Sequence, residues 1–547
     1  MTQPPPRPPG PPPHQPPPGG YGYPSPPPPP PGGGPSVAAG GGAPPPSSGD
    51  DAPFGQPAPG GPGGLAGPGV PPAGGPATGL GTGPGTGPSP RRGDRRRRGN
   101  RTPARTPAVV AVVVVVAIAL AGGAWLVTSG DDSSGGSGKK EPPEARVLHE
   151  IPTPKVGKDP INVEGMWTTD RNFVKAGVEK VTGYPLGGGS AQWEIPLGGE
   201  ICWTTPHISA DGLTPVLFRD ADTDNPVCTQ VGLLDLRKGE LRWQHEVTDE
   251  YGSRVMFDEV TMGGGTIAAG SSDGGAAWSV DGTPLWKPEE DAECRDVGYG
   301  GGARLVAVRH CGDVSSPAVD VQSVDPKTRK ATSTYELPAG IEYLHVVSTD
   351  PLVIAVGDEK KRSTGVTDLV AVDDSAARGT KRGAIEVGDD TYTLDCQPSV
   401  VESCTELAVS KERDAVFLGT EQNVDAATMN EIVALDLATG KEAGRTPGST
   451  DANLRVLGLD EKGAVLAYQE TTLGGAGGAV WRVDPRTHAK TRVLRAGAAG
   501  RDTEASFEAG GQVRYARGHL YLGQKLISAP DEPTEKNGPL AIVIGTT

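Results

Sequence analysis

From about residue 145 to its end, the chain alternates apolar and polar positions in short runs, each closed by Gly, Asp, Pro or Thr. Period-two alternation predicts strands, and the 3.6-residue period of long amphipathic helices is missing, so this region reads as all-β. Within it one pattern recurs: an apolar strand ending in Asp, a short turn, then a second strand. It reads GLLDLRKGELRWQHEV around Asp235, AWSVDGTPLW around Asp281 and VQSVDPKTRKATSTYEL around Asp325. It returns as LVAVDDSAARGTKRGAIEV around Asp373, IVALDLATGKEAGRT around Asp436 and WRVDPRTHAKTRVL around Asp484. GYPLGGGSAQWEIPL, with Gly187 at the anchor position, is a degenerate first copy, and LAIVIGTT, with Gly545, a last one.

The mean period is close to 50 residues, about the length of one four-stranded propeller blade. The Asp has a physical role: at a strand end it accepts backbone N–H groups two or three residues on and fixes an Asx-type turn. Thr439 and Gly440 complete that turn after Asp436. Further strands precede the anchors, such as TIAAG, RLVAV, LVIAV, AVFLG and AVLAY, giving each unit an inner, two middle and an outer strand. The last unit stops after its third strand. Residues 145–151, ARVLHEI, resemble the outer strand LRWQHEV at 241–247 and are expected to complete that unit. Outer strands are expected at 145–151, 191–197, 241–247, 284–288, 329–337, 380–387, 441–446 and 489–495. They give an eight-bladed β-propeller over 145–547, with seven blades as the alternative count and a β-sandwich or two smaller β-domains as the alternative architecture.

The apolar pattern changes completely at residues 108–128, AVVAVVVVVAIALAGGAWLVT, which carry no charge. Their 21 residues span roughly 31 Å as a helix, the thickness of a bilayer's hydrocarbon core. They are predicted to be one transmembrane helix, with Trp125 near an interface. Arg91, Arg92, Arg95, Arg96, Arg97, Arg98, Arg101 and Arg105 precede it, and Asp131 and Asp132 follow. The positive-inside rule then places 1–107 in the cytoplasm, 129–144 as a linker and 145–547 outside a plasma membrane crossed once. A cleaved signal peptide would need a leader far shorter than 107 residues.

Composition separates the same regions. Of residues 1–107, 62 are Pro or Gly, too few apolar groups for a core, so this region is expected to be disordered. Its proline runs favour polyproline II, as a stiff spacer or a ligand for SH3- or WW-like grooves. It carries a net +6 and residues 131–547 a net −22, an acidic balance that argues against nucleic acid as a partner. All six cysteines, Cys202, Cys228, Cys294, Cys311, Cys396 and Cys404, follow the apolar segment. An even count on the presumed oxidising side reads as disulfides, in any of 15 connectivities. The nearest-neighbour set 202–228, 294–311 and 396–404 is favoured because each pair lies within one repeat.

LDLRKGELRW, SVDGTPLW and LDLATGKE resemble the pyrroloquinoline-quinone-type propeller repeat. The resemblance covers 145–547 and implies that Trp243, Trp286 and Trp193 dock between adjacent blades. Later units lack that Trp, which implies aliphatic packing there. The combination of a Pro/Gly-rich tail, one anchor and an outer propeller is similar to proteins of actinobacterial type. The family includes quinoprotein alcohol dehydrogenases and a non-enzymatic outer-membrane assembly scaffold, so the resemblance implies a fold and leaves activity open.

Candidate chemistry is sparse. The quinoprotein class uses adjacent cysteines, and none occur here; no cofactor is expected. Asp220, Asp222, Asp224 and Asn225 space carboxylates as a Ca²⁺ loop does, but position six is Asn225 and position twelve is Val231, which favours a solvated blade loop. Glu289, Glu290, Asp291, Glu293 and Asp296 are likewise expected in a solvated loop around Cys294. His149 and His245 recur at matching repeat positions, which points to structure rather than catalysis. No HExxH, GxSxG or paired metal spacing is found, so no catalytic or metal residue is assigned. The expectation is a non-catalytic binding or scaffold propeller for an extracytoplasmic protein, glycan or wall component, held to the lipid bilayer through 108–128. The alternatives are a propeller enzyme (hydrolase, lyase or quinoprotein dehydrogenase) and a ligand sensor. Carboxylates converging on the channel mouth would favour the enzyme, and a Gly, Ala and Val lining the binder.

Overall fold

A computed structural model describes residues 141–547 except 221–225, 290, 342, 358–364, 389–390, 399, 422–427, 473–474, 531, 533–536 and 547. The described residues fall in one compact unit, Gly130–Thr547. The membrane-spanning segment expected at 108–128 and the Pro/Gly-rich region 1–107 lie outside them. Among the described residues no helix is long and apolar enough to cross a membrane.

The unit is a β-propeller-type fold built from four-stranded antiparallel meanders. The first sheet holds Met166–Thr168, Asn172–Ala176, Lys180–Pro185 and Trp193–Pro196. The second holds Ile201–Thr204, Leu213–Arg219, Cys228–Asp235 and Glu240–His245. The third runs from Glu259–Gly263 to Pro284–Trp286, the fourth from Cys294–Gly300 to Ala331–Glu336 and the fifth from Tyr343–Thr349 to Thr380–Glu386. The sixth contains Leu407–Ser410, Ala415–Thr420, Glu431–Asp436 and Glu442–Pro447, with Tyr392–Thr393 added beside its second strand. The seventh runs from Leu454–Leu459 to Lys490–Ala496.

The eighth group draws on both ends of the described chain. Gln512–Ala516, His519–Gly523 and Ala541–Gly545 form its first three strands, and Glu144–Ile151 is its fourth. The register is antiparallel, with Arg146 opposite Gly545, Val147 opposite Ile544 and Ile151 opposite Ala541. The expected closing strand is therefore present where the repeat placed it. A short parallel contact, Glu144 with Arg495 and Ala145 with Ala496, also joins it to the seventh sheet.

Middle strands are buried on both faces and read as near-continuous apolar runs, such as Thr266–Gly270 and Leu352–Gly357; outer strands such as Glu240–His245 alternate exposed and half-buried positions. The buried clusters join neighbouring sheets, so the core is a series of inter-sheet layers: Trp167, Val174 and Val181 of the first sheet pack with Val216, Phe218 and Leu234 of the second.

The turn chemistry follows the anchors. Asp235, Asp325, Asp436 and Asp484 each accept two backbone N–H groups through Oδ1, at residues i+2 and i+3; Asp281 and Asp373 each accept one. Thr439 adds its hydroxyl to Asp436 at 2.8 Å.

Outer strands dock on the turn of the next sheet. The Trp193 ring lies over Gly239 and the Trp243 ring over Gly282, both at positive φ (73° and 88°), where a Cβ would overlap or crowd the indole. Trp243 Nε1 donates to Val280 O at 3.0 Å, and Trp286 Nε1 to Tyr299 Oη at 3.0 Å. His149 covers Gly188 in the same way, and His245 lies beside Gly282 and stacks on Trp278. The aliphatic packing expected in later sheets is present: Val353, Leu369 and Ile385 of the fifth sheet pack with Val416, Val433 and Leu435 of the sixth, and Ile432 of the sixth with Leu454, Val456 and Val465 of the seventh. Where Trp is lost, the outer strand carries Gly383 or Gly444 and the turn moves in: Leu437 O abuts Gly383, and the His488 ring sits on Gly444. A glycine removes the side chain that would hold the turn away, so backbone and imidazole contacts add to the aliphatic ones.

Candidate functional site

The first strands of successive sheets face one another around a centre, where a cavity of about 500 Å³ opens. It is lined from the first sheet by Met166, the second by Thr204, the fifth by Val346 to Thr349, the sixth by Leu407, the seventh by Arg455 to Leu457 and the eighth by Gln512 to Arg514.

One segment enters this centre. Cys396 and Cys404 are joined by a disulfide eight residues apart, and the loop they close projects inward as a plug. Its Glu402 is the hub. Oε2 accepts the hydroxyls of Thr205 at 3.0 Å and Thr261 at 2.6 Å. Oε1 accepts the Gly301 amide at 2.7 Å and lies 2.7 Å from His207 Nε2. Those donors belong to the second, third and fourth sheets or their first connections. The plug backbone is held in turn by Glu259 of the third sheet, whose Oε2 accepts Val401 N at 2.9 Å and Glu402 N at 3.2 Å and whose Oε1 accepts Tyr299 N at 3.2 Å. Val346 N of the fifth sheet donates to Val401 O at 2.9 Å, and His345 Nδ1 lies 2.9 Å from Val400 O. Gln397 reaches Glu164 beside the first sheet at 3.4 Å.

The two central carboxylates differ in charge. Burial works against the charge of Glu402, but the His207 imidazole and its hydrogen bond, with the Thr261 and Gly301 donors, outweigh it and hold the carboxyl below its ordinary value. Burial also opposes the charge of His207, and Glu402 overrides it and raises the imidazole. Glu259 is the reverse case: burial pushes it up to about 8, and the amide donors offset only part of that. Lys175 of the first sheet is buried, which brings it down to about 7 against the pull of Glu164; its ammonium donates to the carbonyls of Val163 and, at 3.1 Å, Ala176.

The residues singled out in the sequence lie elsewhere. The three disulfides are Cys202–Cys228, Cys294–Cys311 and Cys396–Cys404, and only the last touches the cavity. Asp220 pairs with Arg254; Asp222, Asp224 and Asn225 are outside the described residues, as is Glu290. Asp296 is not in a solvated loop, which corrects that expectation. It sits in the strand Cys294–Gly300, almost fully buried, with Arg309 at 3.1 Å, Arg329 at 2.9 Å and the Tyr299 hydroxyl at 2.7 Å. A buried carboxylate needs such partners, and Arg309 of the neighbouring strand and Arg329 of a turn in the same sheet supply them. Among the described residues no group of three or more His, Cys, Asp or Glu side chains is placed to hold a metal ion.

Glu402, Glu259, His207 and Arg514 escaped the sequence reading. They belong to four different sheets or loops, at no fixed spacing and outside the anchor motif. The short cysteine pair around Glu402 was the one available signal, since an eight-residue loop closed on itself must project as a compact unit.

No family model and no curated protein matches the chain. Among solved structures it is similar to BamB from Moraxella catarrhalis, at 12% identity and a TM-score of 0.36, over 71% of this chain and 98% of that one. Dihydro-heme d1 dehydrogenase NirN in complex with DHE is similar at 14% and 0.38, over 62% and 67%. Hsv2 from Kluyvelomyces marxianus is similar at 7% and 0.36, over 61% and 96%. The architecture of this chain rests on the pairing of its own strands.

Proposed function

We propose that this chain is a non-catalytic binding module: an eight-bladed propeller, locked by its first strand, that presents its central channel and connecting loops to an extracytoplasmic protein, glycan or wall component. Residues 108–128 would anchor it in the plasma membrane, with the Arg-rich flank and 1–107 in the cytoplasm.

One observation carries the preference for binding over catalysis. The carboxylates that converge on the centre are already committed: Glu402 has four donors and Glu259 three. A general acid and base need a carboxyl free to face a substrate proton. The lining does not reduce to Gly, Ala and Val either; it is a polar, plugged channel whose charges hold sheets together.

Protease applied to intact cells, followed by blotting for the C-terminal region, tests the placement. A soluble fragment of about 400 residues is expected. Full protection of that region, with loss of the N-terminal one, would overturn the orientation.

A further inference from the structure

A second cavity, of about 590 Å³, shares a wall residue with the central one: Arg514 lines both. The other arginines on these walls each face a carboxylate: Arg237 with Asp170 at 3.3 Å, Arg455 with Glu406 at 2.7 Å, Arg482 with Asp460 at 2.7 Å and Arg517 with Glu461 at 3.3 Å. Arg514 makes no hydrogen bond or ion pair with the described residues, and burial alone acts on it, lowering its guanidinium below the ordinary value.

The acids of the central cavity do not supply the missing charge. Glu402 is paired with His207, Glu406 with Arg455 and Asp350 with Lys411 at 2.6 Å, while Glu164 faces Lys175 and Gln397. The nearby ammonium of Lys525 is held by Asp395 at 3.3 Å. Arg514 is half-buried. A guanidinium stays charged at neutral pH, and half-withdrawn from bulk water without a counter-ion it keeps N–H donors open to a bound anion.

We propose that the central channel binds a small, hydroxyl-rich molecule bearing one oxyanion, a sugar acid or sugar phosphate, with Arg514 as the anion-binding residue. The oxyanion chemistry follows from the planar fork of five N–H donors, which matches carboxylate or phosphate. Gln512, two residues earlier on the same strand, projects to the same side and accepts Gly165 N through Oε1, leaving its amide N–H groups to donate. Gln397, Ser348, Ser403 and Thr405 add groups suited to hydroxyls along the wall. A volume of about 500 Å³ accommodates one such molecule beside the plug. The inference rests on the binding reading above and specifies its ligand.

Calorimetric titration of the purified full-length chain tests it with glucuronate, glucose 6-phosphate, glucose and inorganic phosphate. Glucuronate or glucose 6-phosphate should bind with one site per chain; which of them binds tells a carboxylate from a phosphate ligand. Glucose should fail to bind, and inorganic phosphate should bind more weakly than the sugar derivative. Arg514→Gln should weaken binding roughly 10- to 100-fold with the melting temperature retained. If Arg514→Gln does not fold, Gln512→Ala serves in its place and should weaken the same ligand several-fold. Absence of binding by both charged sugars at 10 mM, or an unchanged affinity in the folded variant, would overturn the ligand class. That result would leave the protease experiment and a macromolecular partner untouched. Turnover of either sugar derivative into a new product would instead overturn the non-catalytic reading.

Discussion

At the scale of single residues, Glu259 and Glu402 divide one task between opposite charge states. Glu402 stays ionised because donors surround it, whereas Glu259 is pushed up to about 8 by burial. A carboxyl that holds its proton more tightly when folded contributes stability below its unfolded value, near 4.5, and that contribution falls as pH rises toward 8. Glu259→Gln cannot titrate. The stability difference between pH 5 and pH 7, from denaturant unfolding, should therefore shrink by on the order of 2–3 kcal/mol relative to the unaltered chain. An identical pH profile in the variant would show that Glu259 keeps an ordinary value. None of this was legible beforehand. The Asp anchors announce themselves because Asp, turn and strand repeat in order along the chain; Glu259, Glu402 and Arg514 meet only when sheets far apart in sequence face the same centre.

At the scale of elements, the plug is the part that departs from the repeat. A meander of four strands needs no excursion before its first strand, yet Cys396 to Cys404 leaves the sixth sheet and bonds to the second, third, fourth and fifth. The disulfide limits the unfolded freedom of this segment, and for so short a loop that is worth about 2–3 kcal/mol. The double substitution Cys396→Ser with Cys404→Ser should cost about that much, with faster amide exchange at Val401 and Glu402 measured by mass spectrometry. Unchanged exchange there would mean that Glu259 and Val346 hold the plug unaided. The inter-sheet docking was half readable: Trp193, Trp243 and Trp286 mark it by their size, while Gly383 and Gly444 take part by having no side chain, which leaves no bulk in the sequence to read.

At the scale of the whole molecule, closure runs mainly through the antiparallel ladder of Arg146–Ile151 against Ala541–Gly545, with a short second one that pairs Ile161 with Ile527 and Asn162 with Leu526. Its partners were legible because an outer strand was missing at one end of the repeat and surplus at the other. His149→Pro removes one amide from the ladder's middle and places a rigid ring beside Gly188. It should lower the unfolding midpoint by about 3 kcal/mol equivalents and turn a single cooperative transition into two, since the seventh and eighth sheets can then part from the rest. A single transition at the original midpoint would show that the ring does not rely on this strand.

The same ladder sets an order of events during synthesis. Glu144–Ile151 is made long before its partner Ala541–Gly545 and waits with its edge bare, and every intermediate length of chain between them has two raw sheet edges able to recruit each other or a neighbour. A chain cut short anywhere before Ala541 is therefore released as a sticky open arc, however many sheets it has finished.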